Sequence, residues 1–434
     1  MTKRESAKQS APISIDREQQ LIKLLKTYLV TGLLFLVLPG TFLGVWNLFA
    51  ISNAQSATYV PASWIQAHGH AQVFGWLGSF ILGIGFYSIP NLRRVSAWSF
   101  WEGWLTWALW TVGVTLRWLA DVYLWQWRLL LPLSAFLELF AVLLFLIRTT
   151  QGHRMQSKVK SSIQPWMVLV ITGTMGLLAT MCFNAYECNL IAGTGASPEF
   201  PSEFNNKFLT LSIWGFPVLI AWGFTAHWMP AFLGLKQLRN KQLLLSIAYT
   251  TLGIVAAWVS HFFASSILLL AGAACVVFGL RILEPPGMPP KTQGVHRTFP
   301  LFMRIAYCWL LVASLFTVTA AIAPDSAGIA GAGRHAITVG FLMTMVFTVG
   351  PRILPAFLGR KKLFSELLMF IALLLTNAGC LLRVSSEALA YQHTASWAWA
   401  VLPVSATMEL TGVVVFAINM IGTFLQPALL EPHR

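Results

Sequence analysis

GFPVLIAWGFTAHWMPAFLGLK, residues 215–236, and GFLMTMVFTVGPRILPAFLGRK, residues 340–361, are two versions of one segment. Each runs from a glycine through an apolar stretch to PAFLG, with a lysine two residues on. GWLGSFILGIGFYSIP, residues 75–90, fits the same frame: Gly75, Gly215 and Gly340 align, and Pro90, Pro230 and Pro355 follow in register. Self-similarity at fixed spacing marks a repeat architecture and decides which residues meet in space. Each copy is long and apolar enough to cross the roughly 30 Å hydrocarbon layer of a bilayer as a helix.

Working outward from these three, apolar runs of similar length recur along the chain. Twelve spans are read, at about 27–51, 68–90, 97–121, 127–148, 165–188, 207–230, 242–262, 263–282, 300–323, 335–358, 363–385 and 397–424. Spans 2, 6 and 10 are then equivalent. The expected fold is an all-α integral membrane protein of three diverged four-helix repeats, at about 27–150, 163–283 and 298–426. They form a single membrane domain, 27–434, after an N-terminal tail, 1–26. The neighbouring spans carry the repeat further. Gly113-Val-Thr-Leu-Arg117 in span 3 answers Gly379-Cys-Leu-Leu-Arg383 in span 11, and SAFLELFAVLLF from Ser134 answers SATMELTGVVVF from Ser405. Glu138 and Glu409 are therefore counterparts. The middle copy has Ala257 where the others have arginine, and its eighth span has no glutamate.

Composition agrees: 56% of residues are hydrophobic and 10% charged, which leaves most segments no polar face for water. The formal charge of +14 would suit nucleic acid, but its distribution points to a bilayer. Of the 29 Lys and Arg, 23 fall in tails or loops that a twelve-span plan puts on one side, as the positive-inside rule requires. Both termini are expected in the cytoplasm. The stretch before Thr27, with Lys3, Arg4, Lys8, Arg17, Lys23 and Lys26, is too long and polar to open a cleaved signal. The five cysteines, Cys182, Cys188, Cys275, Cys308 and Cys380, form no close CxxC pair, so neither a disulfide framework nor structural zinc is expected. Cys188, near the outer end of span 5, stands apart.

The costly polar residues converge at the outer face. His68 and His70, in QAHGHAQVFGW, open span 2, and Arg334-His335 open span 10. His70 aligns with His335, His68 with Gly333, and Thr210 fills the place in the middle copy. Arg117 and Arg383 lie near the outer ends of spans running outward. Imidazoles on facing helices hold haem iron from both sides, and guanidinium suits the anionic propionates. His68 and His70 point about 200° apart by the helical period and cannot share one iron. The repeat favours His70 with His335, leaving His68 for a metal or a supporting role. His261, at the outer end of span 7, is a candidate for copper or haem. Glu138 and Glu409, mid-helix, are expected to pair with Arg117 and Arg383 or to carry protons. His227 and Arg352 are read as caps on the inner side, His393 as an outer-loop residue, and His153, His296 and His433 as cytoplasmic. The 19 tryptophans are expected as interfacial anchors or packing against a flat ligand.

His68-Gly-His70-Ala-Gln-Val-Phe-Gly-Trp resembles the HxHExxFGF segment of the NnrS family, bacterial membrane proteins associated with haem, copper and the response to nitric oxide. His335-Ala-Ile-Thr-Val-Gly through Arg352 resembles that family's HALTVG segment. Ala71 replaces the family's glutamate. The AHG around His68, with Phe86 and Tyr87 further along, is also similar to helix 2 of haem-copper oxidase subunit I, a twelve-helix, pseudo-threefold superfamily. That comparison favours His68 as a haem ligand where the internal repeat favours His70. The adjacent-histidine and HPxxY patterns of the oxidase active-site copper are missing, so full oxygen reduction is not expected.

The resemblance implies a bacterial inner-membrane protein that holds haem, of b type, with copper as a further candidate, and that handles or senses nitric oxide. The rival expectations are an oxidase-like subunit passing electrons from quinol or a cytochrome to a gaseous oxidant, and a transporter or channel.

Overall fold

A computed structural model describes residues 15–93, 100–151 and 164–427, apart from 325 and 327. Among them, eleven helices are long and apolar enough to cross a membrane: α1 (Arg17–Ala54), α2 (Ala62–Ile89), α4 (Trp127–Thr150), α5 (Pro165–Thr194), α6 (Ser202–Leu233), α7 (Asn240–Trp258), α8 (Phe262–Leu280), α9 (Phe299–Ile322), α10 (Ile329–Phe357), α11 (Glu366–Tyr391) and α12 (Trp397–Leu425). The chain is a multi-pass membrane protein. The remaining long helix, α3 (Phe100–Tyr123), matches the expected third span in length but falls short in apolarity. Its sequence holds five tryptophans together with Glu102, Arg117 and Asp121. All three charged residues are buried, so this helix turns its polar groups inward.

Helical winding begins at Ile15, two residues before the α1 span and inside the stretch expected to be a tail, and Leu21, Leu24 and Leu25 of that stretch are buried. The seventh and eighth spans, continuous in hydropathy, are separated by a tight turn in which Ser260 has φ +61°.

Helices pack in antiparallel pairs: α3 along α4, α7 along α8, α11 along α12. The same close approach recurs in each. A side chain at Gly113 would strike Glu138 and the Ser134 carbonyl; at Gly253, Leu269 and the Ser265 carbonyl; at Gly379, Glu409 and the Ser405 carbonyl. Small residues allow such backbone approach in hydrocarbon, where dispersion packing replaces the hydrophobic drive. The contact also identifies Leu269 as the apolar residue in the place that holds glutamate in the other two pairs.

α2, α6 and α10 share a feature that no residue pattern announced. Each contains a π-helical stretch: Ala71–Gly78, Trp214–Val218 and Ala336–Met343, and a fourth lies in α1 at Leu36–Phe42. The stretches hold Gly75, Gly215 and Gly340, in the register of the sequence frame. Wider turns of this kind occur mostly at functional sites.

Cations gather at the opposite end from the histidines described below. Arg360 and Lys26 both donate to the Phe424 carbonyl at the end of α12. Between α8 and α9, Glu284 is held by Arg281 at 2.7 Å, Arg239 at 3.1 Å and Lys236 at 3.6 Å. The Arg281 hydrogen bond, with the charges of its neighbours, keeps this loop carboxyl below the usual carboxylate range.

Candidate functional site: a histidine-lined cavity

The opening turns of α2 and α10 and the closing turns of α3 and α11 meet at one end of the bundle. They enclose, with α1, the start of α6 and α12, a cavity of about 390 Å³ lined by His68, His70, Arg117, His335, Arg383, Glu387 and Glu409 among apolar side chains. Mostly apolar walls with a few placed polar groups are the usual make-up of a cofactor pocket.

His68 is fixed by α1. Its Nδ1 lies 2.8 Å from the Gly40 carbonyl, inside the π-helical stretch of that helix. The ring fits because Gly44, one turn on, has no side chain: a Cβ there would sit 2.5 Å from His68 Cε1. His335 is oriented similarly. Its Nδ1 is 3.3 Å from the carbonyl of Gly331, one turn back, and 3.6 Å from Glu387 Oε2. An imidazole whose Nδ1–H donates to a carbonyl presents Nε2 as its free donor atom, which is how proteins orient a metal ligand. Among the described residues, no group hydrogen-bonds to either Nε2.

His70 faces the other way, as the helical period demands. Its Nε2 is 2.8 Å from Glu138 Oε1, and both side chains are buried. The other Glu138 oxygen accepts from Asn184 Nδ2 at 3.4 Å. Arg117 donates through Nη1 to Asn184 Oδ1 at 3.3 Å, with Cys188 Sγ 3.0 Å away, and through Nε to Asp121 Oδ2 at 2.7 Å. The Arg117 guanidinium also lies over the Phe200 ring, 4.5 Å from its centroid. His70, Glu138, Asn184, Arg117 and Asp121 thus form one buried network, with Asp121 Oδ1 left without a hydrogen-bond partner, and pairing of this kind is the condition under which buried charge is tolerated.

Arg383, Glu387 and Glu409 are less fully paired. Arg383 Nε sits 3.2 Å from Glu387 Oε2, an ion pair without hydrogen-bond alignment, and Arg383 Nη1 has no partner. Glu409, the counterpart of Glu138, is buried with Oε1 unpaired. Where His70 meets Glu138, His335 turns to Gly331 and Glu387, which frees its ring for the cavity.

These contacts correct one expectation and extend another. The arginines do not take the mid-helix glutamates as their ion-pair partners: Arg117 takes Asp121 and Arg383 takes Glu387, each four residues further along its own helix. Neither acid stood out by sequence, although the spacing Arg-x-x-x-acid occurs after both aligned arginines and was the available signal. Asn184 carried no signal at all. Cys188 joins the network, whereas Cys182 and Cys308 are exposed on the bundle surface.

The remaining histidines lie apart. His261 is exposed at the start of α8 and does not line the cavity. His227 packs on Trp166 at the opposite end, 4.1 Å between ring centroids, and His296 stacks on Phe370. His393 is exposed in the α11–α12 turn. His153 and His433 are outside the described residues, as are Lys3, Arg4 and Lys8. Tryptophan serves both expected roles: Trp76, Trp110 and Trp222 are buried, Trp101 and Trp125 exposed.

The donor set discriminates between the cofactors the sequence suggested. Among the described residues there is no group of three or more His, Cys, Asp or Glu placed to hold a metal ion. A copper centre built from His68, His70, His335 and His261 therefore does not fit. Imidazoles, apolar walls and arginines, all present in this cavity, are the components that a haem site uses.

Comparison with known proteins supports the fold. A chain from a heme-copper terminal oxidase dimer solved by cryo-EM superposes with a TM-score of 0.68, covering 95% of this chain and 85% of its own, at 12% identity. The chain thus shares the fold of a haem-copper oxidase chain. A family model described as a domain of unknown function, DUF8744, matches residues 288–423, from the α8–α9 loop almost to the end of α12. No curated protein matches the sequence.

Proposed function

We propose that this chain is a haem-binding membrane protein of the NnrS type, holding one b-type haem between His68 and His335 and acting in nitric oxide handling. The observation that carries the haem assignment is the shared setting of these imidazoles. Both line one cavity, near the same end of the bundle, with Nδ1 turned to a carbonyl and Nε2 unengaged. His70, which the internal repeat favoured, has its Nε2 committed to Glu138, so His68 is the better ligand. Arg383, with a partnerless Nη1, and Arg334 of the same cavity are suited to propionates. The two motifs that resemble the NnrS family supply both histidines.

A haem held by both His68 and His335 would supply one-electron transfer. That supports a second reading: an electron-transfer subunit that draws on a quinol or cytochrome and passes electrons to a gaseous oxidant. The shared oxidase fold agrees with it.

In this reading α3 crosses the membrane as a twelfth span, its charges sheltered by α2, α4 and α5. The three glycine contacts and the aligned π-helical stretches support an arrangement of three four-helix repeats. The cation-rich end, with both termini, faces the cytoplasm and the histidines face outward in a bacterial inner membrane.

The test is the absorption spectrum of protein purified from haem-replete cells. Low-spin haem bands that His68→Ala and His335→Ala each abolish, and His227→Ala leaves intact, are expected. Absence of haem from the wild type, or loss with His70→Ala but not His68→Ala, would overturn the assignment. Added nitric oxide separates the readings: a spectral change marks a gas-handling haem, and an unchanged spectrum an electron-transfer one.

A further inference from the structure

Glu138 and Glu409 occupy matched places against Gly113 and Gly379, yet only one of them is provided for. Glu138 receives His70 and Asn184. Glu409 is 9% exposed, lines the cavity, and has Oε1 without a hydrogen-bond partner. An ionised carboxylate left so in a low-dielectric interior is costly, whereas a protonated one is not. Partnerless buried polar groups in a native protein call for a reason, and a carboxyl beside a redox cofactor has one.

We propose that Glu409 is a proton-binding site coupled to the redox state of the cavity: it takes up one proton when a haem held there gains one electron. The inference rests on the haem reading above. The balance is simple. A one-electron reductant supplies an electron that converts ferric to ferrous iron, and a proton from water converts the Glu409 carboxylate to the acid. No bond to the iron forms or breaks, and the net charge of the cavity is unchanged.

The surroundings single out this group. On α11 it faces Arg383 and Glu387, already paired with each other, and Cys380. The cavity adds Tyr391 from α11, Arg334 and His335 from α10, His68 and the Glu138-bound His70 from α2, and Arg117 from α3. α1, which packs on α12 here, presents Asn47, with its Oδ1 also unpaired, and no ionisable side chain to the cavity. Arg383 is ion-paired through Nε with Glu387, and Arg117 with Asp121. That leaves Glu409 as the acid of this cavity without an ion-pair or hydrogen-bond partner that would hold it in one protonation state.

Redox titration of the purified holoprotein across pH decides the matter. The expected wild-type midpoint falls with rising pH by about 59 mV per unit over part of the range, the one-electron equivalent of a tenfold change in proton concentration. Glu409→Gln should flatten that slope, while Glu187→Gln, which alters a buried carboxyl of α5 outside the cavity, should keep it. Reduced-minus-oxidised infrared spectra of the wild type should show a new carboxylic acid band, absent from Glu409→Gln. A pH-independent midpoint in haem-loaded wild type, or a slope that survives Glu409→Gln, overturns the proposal and leaves the haem assignment standing. A wild type without haem overturns both. If Glu409→Gln does not fold, the infrared band of the wild type decides, read against Glu409→Asp: a band that shifts with the shorter acid supports the proposal, and one that does not refutes it.

Discussion

Replacing Gly44 by alanine tests the histidine geometry without touching a histidine. The new methyl carbon would sit 2.5 Å from Cε1, 2.8 Å from Nδ1 and 3.1 Å from Nε2 of His68, so the ring must retreat by about 1 Å to reach ordinary contact. The retreat lengthens the 2.8 Å hydrogen bond to Gly40, whose net worth is about 1 kcal/mol. Overpacking adds about 1–3 kcal/mol. Gly44→Ala should therefore weaken haem binding by roughly 2–4 kcal/mol, or about thirty- to a thousandfold at 1.4 kcal/mol per decade. Haem titration into apoprotein, followed by absorbance, measures this directly. Gly193→Ala, whose added methyl meets nothing within 4 Å, is the matched control. Equal affinity for Gly44→Ala and wild type would mean that His68 does not hold the haem from the position described.

Arg117→Ala leaves Asp121 buried without its counter-charge and should destabilise the protein by about 3–5 kcal/mol, seen as a lowered Tm in detergent; Asp121→Asn combined with Arg117→Met should recover part of the loss, and no recovery would mean the pair is not coupled. Glu284 carries stability that is present above its unfolded pKa, near 4.3, and is lost as pH falls through its lower folded value. The Tm gap between wild type and Glu284→Gln should accordingly narrow as the medium is acidified below about pH 4; a gap that widens would contradict the sign. In a cysteine-free background, His261→Cys should react with an impermeant thiol reagent from outside intact spheroplasts and Lys291→Cys only after lysis, and the opposite labelling would invert the proposed topology.

Hydropathy exposed eleven of the spans because a bilayer imposes length and apolarity on a crossing segment. α3 shows the limit of that logic: buried charge and tryptophan lower its apolarity, while its interior-facing Arg117, Asp121 and Glu102 explain how it is accommodated. For the site, alignment of His70 with His335 pointed to the end of α2 and α10 where the cavity lies, and the proposal moves the ligand from His70 to His68. Two residues along a helix reverse a side chain, and what decides between His68 and His70 is the Gly40 carbonyl and the Glu138 carboxylate, donated by helices distant in sequence. Asp121 and Glu387 were legible in principle, because their partners lie in the same helix. Asn184 and the cavity itself were not, since both depend on how α5 and α6 approach α2.

The π-helical stretches that follow His70 and His335 also have an ancestral meaning. A helix that gains one residue without lengthening its ends accommodates it as a wide turn, so each stretch has the geometry that a single-residue insertion would leave. Losing one residue between 71 and 78, or between 336 and 343, would restore the regular winding and rotate everything beyond it by about 100°. The histidines would keep their place while the inner halves of α2 and α10 offered new faces to their neighbours. Relatives that align here with a one-residue gap are thus expected to share the mouth of the cavity but not its floor, and the lineage can be sorted by the length of these two stretches.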